Sequence, residues 1–110
     1  MSGNLVLGQE AVAALQRQDY KGAEQKFRAE LKLHPDDTPT LSLLCVALDG
    51  QRRFSEAGEV HRRAVALAPG LPEVLDNYAN NLMALGDEKG AEATFLKSIA
   101  LTPAERNTNL

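Results

Sequence analysis

Apolar residues recur along this chain with two spacings: three or four residues within a segment, and 34 residues between segments. The local spacing places apolar side chains on one face of an α-helix. Pro35, Pro69 and Pro103 each follow such a segment, and proline cannot donate the hydrogen bond that a continuing helix needs. The pattern therefore predicts an array of three repeats.

Each repeat is predicted to contain two helices joined by a short polar turn. Gln18, Arg52 and Gly86 mark the turns, because the apolar spacing breaks there in all three segments. Thr38 and Ser55 are expected to cap the third and fourth helices. The predicted helices span residues 5–17, 21–33, 39–50, 55–67, 72–84 and 88–101, and no strand is predicted.

The positions shared by the three segments combine large, small and aromatic residues. They hold Leu7, Leu41 and Leu75, then Ala11, Cys45 and Ala79, then Ala23, Ala57 and Ala91, and then Phe27, His61 and Phe95. This pattern resembles the tetratricopeptide repeat family. The resemblance implies an all-α fold, a right-handed superhelical stack of three helix-turn-helix repeats with six helices and a short C-terminal tail. Repeats are expected at about residues 4–37, 38–71 and 72–105 of a single domain spanning 1–110.

Composition argues against several classes of partner and location. The 110 residues carry a net charge of −3 and a pI near 5.3, so no general attraction to nucleic acid or to an anionic membrane is expected. No apolar stretch reaches the length of a membrane span, and the N-terminus lacks a signal-peptide pattern. A single cysteine fits a reducing compartment, and we predict a cytoplasmic protein.

The sequence offers no group of residues that would support catalysis, so no catalytic residue, metal site or cofactor is predicted. Cys45 aligns with alanines and is interpreted as a small packing residue. His61 stands where the other repeats have phenylalanine, which favours a packed ring, with a pH switch as the alternative. Arg52, Arg53, Arg62 and Arg63 form a basic cluster, either a solvated surface or a site for an acidic peptide or phosphate.

The family resemblance also implies that the first helix of each pair lines a concave groove. A peptide or protein segment is the expected partner in this groove. The expected contact residues are Gln9, Val12, Leu43, Val46, Asp49, Asp76, Asn77, Asn80 and Met83. They are apolar toward the N-terminal end and amide-rich toward the C-terminal end, which suits a segment with apolar side chains and a backbone held by amides. The alternative is that they are ordinary solvated residues of these helices.

One subclass of the family clamps the C-terminal carboxylate of chaperone tails with Lys, Arg and Asn side chains. The corresponding positions here hold Gly8, Val12, Leu43, Glu73 and Asn77. Four of these side chains cannot bind a carboxylate, and one of the four, Glu73, would repel it. The resemblance therefore implies no binding to such chaperone tails.

The last helix of the array lacks charges that its counterparts carry. Ala93 and Leu96 replace charged or amide residues of the earlier repeats, and together with Ile99 they predict a surface for self-association. A core-filling role for Leu96 is the alternative. Three functions follow as hypotheses: a non-catalytic module that binds a peptide or protein segment, a scaffold that forms dimers or longer stacks, and a substrate-selecting part of a larger enzyme.

Overall fold

The computed structural model describes residues 2–101, with side chains described from residue 8 onward. The predicted all-α fold is confirmed, and the described residues form no strand. The six helices are α1 (Ser2–Gln16), α2 (Tyr20–Leu33), α3 (Thr38–Gly50), α4 (Phe54–Leu67), α5 (Pro72–Ala84) and α6 (Glu88–Leu101). Residues 102–110, which include the predicted C-terminal tail after Pro103, lie outside the described residues, and the repeat boundaries stay predictions.

The predicted caps of α3 and α4 are wrong by one or two residues. Helix α3 begins one residue early because the carboxylate of Asp37 accepts a hydrogen bond from the backbone N–H of Thr40 at 3.3 Å, which makes Asp37 rather than Thr38 the cap. Helix α4 begins at Phe54 and has no side-chain cap, since Arg53 precedes it and offers no acceptor. Ser55 therefore lies inside the first turn of α4.

The second repeat replaces a capping carboxylate with a cation. Asp19 and Asp87 each accept a hydrogen bond from the backbone N–H three residues later, at 3.1 and 3.0 Å, and so begin α2 and α6. Arg53 holds the corresponding position before α4, and Glu56 lies three residues after it. The Arg53 guanidinium donates to the Glu56 carboxylate at 2.7 Å, so the backbone cap is lost and an ion pair takes its place.

The turn inside each repeat uses a left-handed backbone conformation at the same position. The φ angles are 66° at Gln18, 63° at Arg52 and 86° at Gly86. Only the third of these residues is glycine, which adopts positive φ without the steric cost that a Cβ atom brings. The polar breaks in the sequence pattern therefore mark the residues that reverse the chain.

Each helix packs against the next one along the chain, and α3 also packs against α5. The first helices of the second and third repeats therefore lie side by side. Fully buried alanines at Ala14, Ala23 and Ala57 allow the helices to approach closely around Leu48 and Phe27. The positions shared by the three repeats thus form the core, except that Phe95 is half-buried and the side chain of Leu7 lies outside the described part of the chain.

Gly50, at the end of α3, accommodates the aromatic ring that opens α2. A Cβ atom at Gly50 would overlap the ring of Tyr20. The missing side chain lets the ring lie directly against the α3 backbone. This contact joins the first repeat to the second one at the turn.

Charged side chains also join the first two repeats. The carboxylate of Glu24, a buried residue, accepts hydrogen bonds from Arg28 (2.8 Å), Gln51 (2.9 Å) and Arg53 (2.8 Å). Arg28 also donates to Glu56 at 3.0 Å. We call these five residues the Glu24 network. Burial alone would raise the pKa of Glu24. The hydrogen bonds from Gln51, Arg28 and Arg53 and the charge of Arg53 outweigh this effect and lower the pKa to about 2.

Candidate functional site

A cavity of about 610 Å³ lies between α1, α2 and α3. We call it the first-repeat cavity. It brings together Gln9, Val12 and Leu43, three of the residues that the sequence places in the groove. Phe27 and Pro39 add to its walls, which are mostly apolar. Cavities of this size and character hold small molecules or the side chains of a partner.

Glu30 lines the same cavity, although the sequence did not place it in the groove. Its carboxylate lies near Gly8, where a Cβ atom would be 3.8 Å from Oε1. The aligned positions hold the small residues Ala64 and Ser98, both fully buried. The other two repeats have a small residue at this position. The carboxylate of Glu30 was therefore a signal in the sequence that the first repeat is packed differently there.

The C-terminal half of the predicted groove is more polar and more exposed. Asn80 and Met83 are exposed, and Asp76 is half-buried. Asn77 is also half-buried, and its side-chain N–H donates to the hydroxyl of Ser42 at 2.9 Å, which links α5 to α3. This bond uses the side-chain N–H of Asn77, so its side-chain carbonyl oxygen can still accept a hydrogen bond from a partner.

Val46 and Asp49 lie between these two regions on α3. Val46 is half-buried. Both carboxylate oxygens of Asp49 are engaged within the domain: one accepts from Asn81 at 2.8 Å, and the other lies 3.0 Å from Nε2 of His61. The structure thus directs Asp49 into the contact between the second and third repeats.

His61 is fully buried, as the packed-ring interpretation expects. Since a carboxylate only accepts hydrogen bonds, Nε2 of His61 donates to Asp49. The imidazole ring also stacks on the ring of Tyr78 with centroids 5.8 Å apart. Asn81, buried beside it, donates to the carbonyl oxygen of Phe54 at 3.0 Å. Polar and ring contacts of His61 and Asn81 therefore hold the second and third repeats together.

Among the described residues, two of the four arginines of the basic cluster pair with groups of the domain. Arg53 belongs to the Glu24 network, and Arg63 donates to Asp36 at 2.8 Å and to the carbonyl oxygen of Pro35 at 3.1 Å. Arg52 and Arg62 are exposed. The four arginines do not act as one patch, because two of them are engaged in contacts between repeats.

Cys45 is fully buried in α3. Burial raises the pKa of its thiol far above the ordinary range, and the charge of Asp49 raises it further. Since the thiolate is the nucleophile, we expect this buried thiol to be unreactive in the folded domain. Among the described residues no group of three or more His, Cys, Asp or Glu side chains could hold a metal ion.

Helix α6 presents an apolar face that no other helix of the described residues covers. Leu31 of α2 and Val65 of α4 pack in the cluster around buried Leu41, Ala64 and Val74. The aligned Ile99 of α6 is 45% exposed, and Leu96 is 58% exposed. Ala93 is exposed as well. We call Ala93, Leu96 and Ile99 the α6 face. No helix in the described part of the chain is long and apolar enough to cross a membrane.

Comparison with known proteins identifies the fold. No protein-family model and no curated protein sequence matches the chain. Solved structures match over most of its length. The first TPR domain of Spaghetti (RPAP3), solved with an HSP90 peptide, superposes with a TM-score of 0.85 at 18% identity, over 92% of this chain and 80% of that one. The TPR domain of Sgt2 from Aspergillus fumigatus gives 0.88 at 21% identity, over 94% and 69%.

An enzyme is also among the similar structures. The O-GlcNAc transferase of Thermobaculum terrenum superposes with a TM-score of 0.85 at 27% identity, over 92% of this chain but 19% of that one. The sequence pattern, the three helix pairs and these similarities all indicate the same fold. The chain has the tetratricopeptide repeat fold, in three tandem repeats.

Proposed function

We propose that this protein is a non-catalytic interaction module that binds a peptide or protein segment along α1, α3 and α5. The first-repeat cavity is the observation that carries the proposal, because it offers an apolar pocket beside Val12 and Leu43. A domain of the same fold, that of Spaghetti, is bound to an HSP90 peptide. An apolar side chain of a partner enters the pocket and loses its contact with water, which favours binding.

The polar half of the groove fixes the backbone of the bound segment. Asn80 is exposed and offers both a donor and an acceptor, and Asn77 offers its side-chain carbonyl oxygen as an acceptor. Side-chain amides placed along a helix can bond successive peptide groups of an extended segment. The pocket then supplies affinity and the amides supply orientation.

A selection from a library of random peptides of about 12 residues, displayed on phage, tests this proposal. Peptides that bind the native domain should lose at least about tenfold in affinity for Leu43→Arg, since a charge then occupies the pocket, and tenfold corresponds to about 1.4 kcal/mol. Leu33→Arg is the matched control, because Leu33 is 59% exposed at the end of α2 and does not line the cavity. Equal binding to both variants would contradict the proposal.

Self-association through the α6 face is a second candidate function, and the exposed Leu96 and Ile99 favour it. A head-to-tail stack would place them against the outward side of α1. There Glu10, aligned with buried Leu44, is exposed, and so is Arg17. Charged side chains make a poor partner for an apolar face. The same face on a second copy is a better match, and such a contact closes into a two-fold dimer.

Light scattering after size exclusion, over a wide range of protein concentration, tests this candidate. Leu96→Arg should convert a dimer into a monomer while the helical signal in circular dichroism stays unchanged. Leu33→Arg again serves as the control, because it places the same charge at an exposed leucine of another helix. A monomer at every concentration, or a dimer that survives Leu96→Arg, would exclude the α6 face as its interface.

A further inference from the structure

Positive charge is absent from the helices that line the groove. The chain has 12 Lys and Arg residues, yet α1, α3 and α5 contain none of them. The charged residues on these three helices are Glu10, Asp49, Glu73 and Asp76. By contrast, α2, α4 and α6 carry eight Lys and Arg residues between them. The layer formed by α1, α3 and α5, which would meet a bound segment, is therefore acidic, and the layer formed by α2, α4 and α6 holds most of the Lys and Arg residues.

Glu30 adds a carboxylate inside the first-repeat cavity. The side chain is half-buried, and no described residue forms a hydrogen bond or ion pair with it. Lys26, one turn earlier on α2, does not pair with it either. A carboxylate that is partly withdrawn from water and has no partner among the described residues is a strong acceptor for a cation that enters the cavity.

We propose that the groove selects a cationic segment, and that one Lys or Arg side chain of this segment enters the first-repeat cavity to pair with Glu30. The inference rests on the proposed function and names the chemistry of its partner. It assigns to this cavity a charge preference opposite to that of a site for acidic tails.

The shape and lining of the cavity fit such a side chain. Val12, Leu43 and Phe27 form apolar walls along which the methylene groups of Lys or Arg can pack. The charged end then reaches the Glu30 carboxylate beside Gly8, where the missing side chain leaves room. Glu73, exposed, and Asp76, half-buried, give the far end of the groove the same sign of charge. Attraction between opposite charges steers a basic segment into the groove and repels an acidic one.

The peptides recovered from the random library provide the test. We expect them to contain Lys or Arg, with one such residue whose replacement by Gln lowers the affinity about tenfold, or about 1.4 kcal/mol. Glu30→Gln should lower the affinity of the original peptide by a similar factor. In the Glu30→Gln variant, replacing the basic residue of the peptide by Gln should then change the affinity little, as a double-mutant cycle requires. Binding should also weaken as salt is raised.

Glu59→Gln is the matched control. Glu59 is an exposed carboxylate on α4 that lines a different cavity, of about 420 Å³, together with Arg28 and Lys32. Its replacement makes the same change in net charge and should leave affinity within about twofold.

Failure of this inference can be distinguished from failure of the proposed function. Peptides that depend on Leu43 but are neutral or acidic would overturn the charge preference and leave the groove as a binding site. Cationic peptides that bind Glu30→Gln as tightly as the native domain would overturn the role of Glu30. If no recovered peptide is sensitive to Leu43→Arg, the groove itself is excluded.

Discussion

Replacing Glu24 by Gln should destabilise the domain at neutral pH but not in acid. The native carboxylate accepts charge-assisted hydrogen bonds from Arg28 and Arg53, and its pKa falls from 4.5 to about 2. Gln keeps a similar size but removes the charge that holds both arginines. Because Glu24 lies in the contact between the first two repeats, losing these hydrogen bonds destabilises both repeats.

The magnitude follows from the linkage between the pKa and the free energy of unfolding. A difference of about 2.5 pKa units between 4.5 and about 2 corresponds to about 3–4 kcal/mol, at about 1.4 kcal/mol per unit. The pKa is lower in the folded state, so this contribution is complete above pH 4.5 and is lost as the pH falls toward 2. About half of it should remain near pH 3.

Urea unfolding followed by far-ultraviolet circular dichroism provides the assay. The native protein and Glu24→Gln should differ by about 3–4 kcal/mol near pH 7 and by less than about 1 kcal/mol near pH 2. Glu59→Gln, which removes an exposed carboxylate outside the Glu24 network, should change the free energy of unfolding by less than about 0.5 kcal/mol at either pH. A difference between native and Glu24→Gln that is independent of pH would refute the reasoning from the pKa.

Four further measurements test other parts of the structure. Gly50→Ala should destabilise the domain by about 1–3 kcal/mol because the new Cβ overlaps the ring of Tyr20, and combining it with Tyr20→Ala should give less than the sum of the two single effects. Gly86→Ala should cost about 1 kcal/mol, since φ is +86° there, whereas Arg52→Gly, at φ 63°, should be close to neutral because strain relief offsets added unfolded-state entropy. The thiol of Cys45 should react with Ellman's reagent only after denaturation; rapid labelling of the native protein would contradict its burial. Titration with the HSP90 tail peptide should show no micromolar affinity at physiological salt, because the clamp positions lack basic side chains.

The sequence alone predicted most of the fold. Apolar residues at helical spacing, repeated every 34 residues and followed by proline, predicted six helices, and five of the six begin within one residue of the expected position. These signals are local: they depend on the backbone of a few neighbouring residues. The breaks in the same pattern predicted turns at Gln18, Arg52 and Gly86, whereas their left-handed backbone conformation was visible only in the structure.

The caps were predicted less well. Asp37 and Arg53 precede Thr38 and Phe54, and the helices begin earlier than the hydroxyl side chains of Thr38 and Ser55 indicated. At α3 the carboxylate of Asp37 competes with the hydroxyl of Thr38 for the same backbone N–H groups, whereas α4 begins at Phe54 with no side-chain cap. Single-residue decisions of this kind depend on geometry that the sequence pattern does not resolve.

The candidate site shows the clearest division between sequence and tertiary structure. The family resemblance predicted that α1, α3 and α5 line a groove with Val12 and Leu43 among its residues, and helical spacing explains how such residues share one face. Only the tertiary structure placed Glu30 in the first-repeat cavity and directed Asp49 toward His61 and Asn81. Those contacts join side chains from different helices, and their partners are set by how the repeats pack rather than by any local spacing.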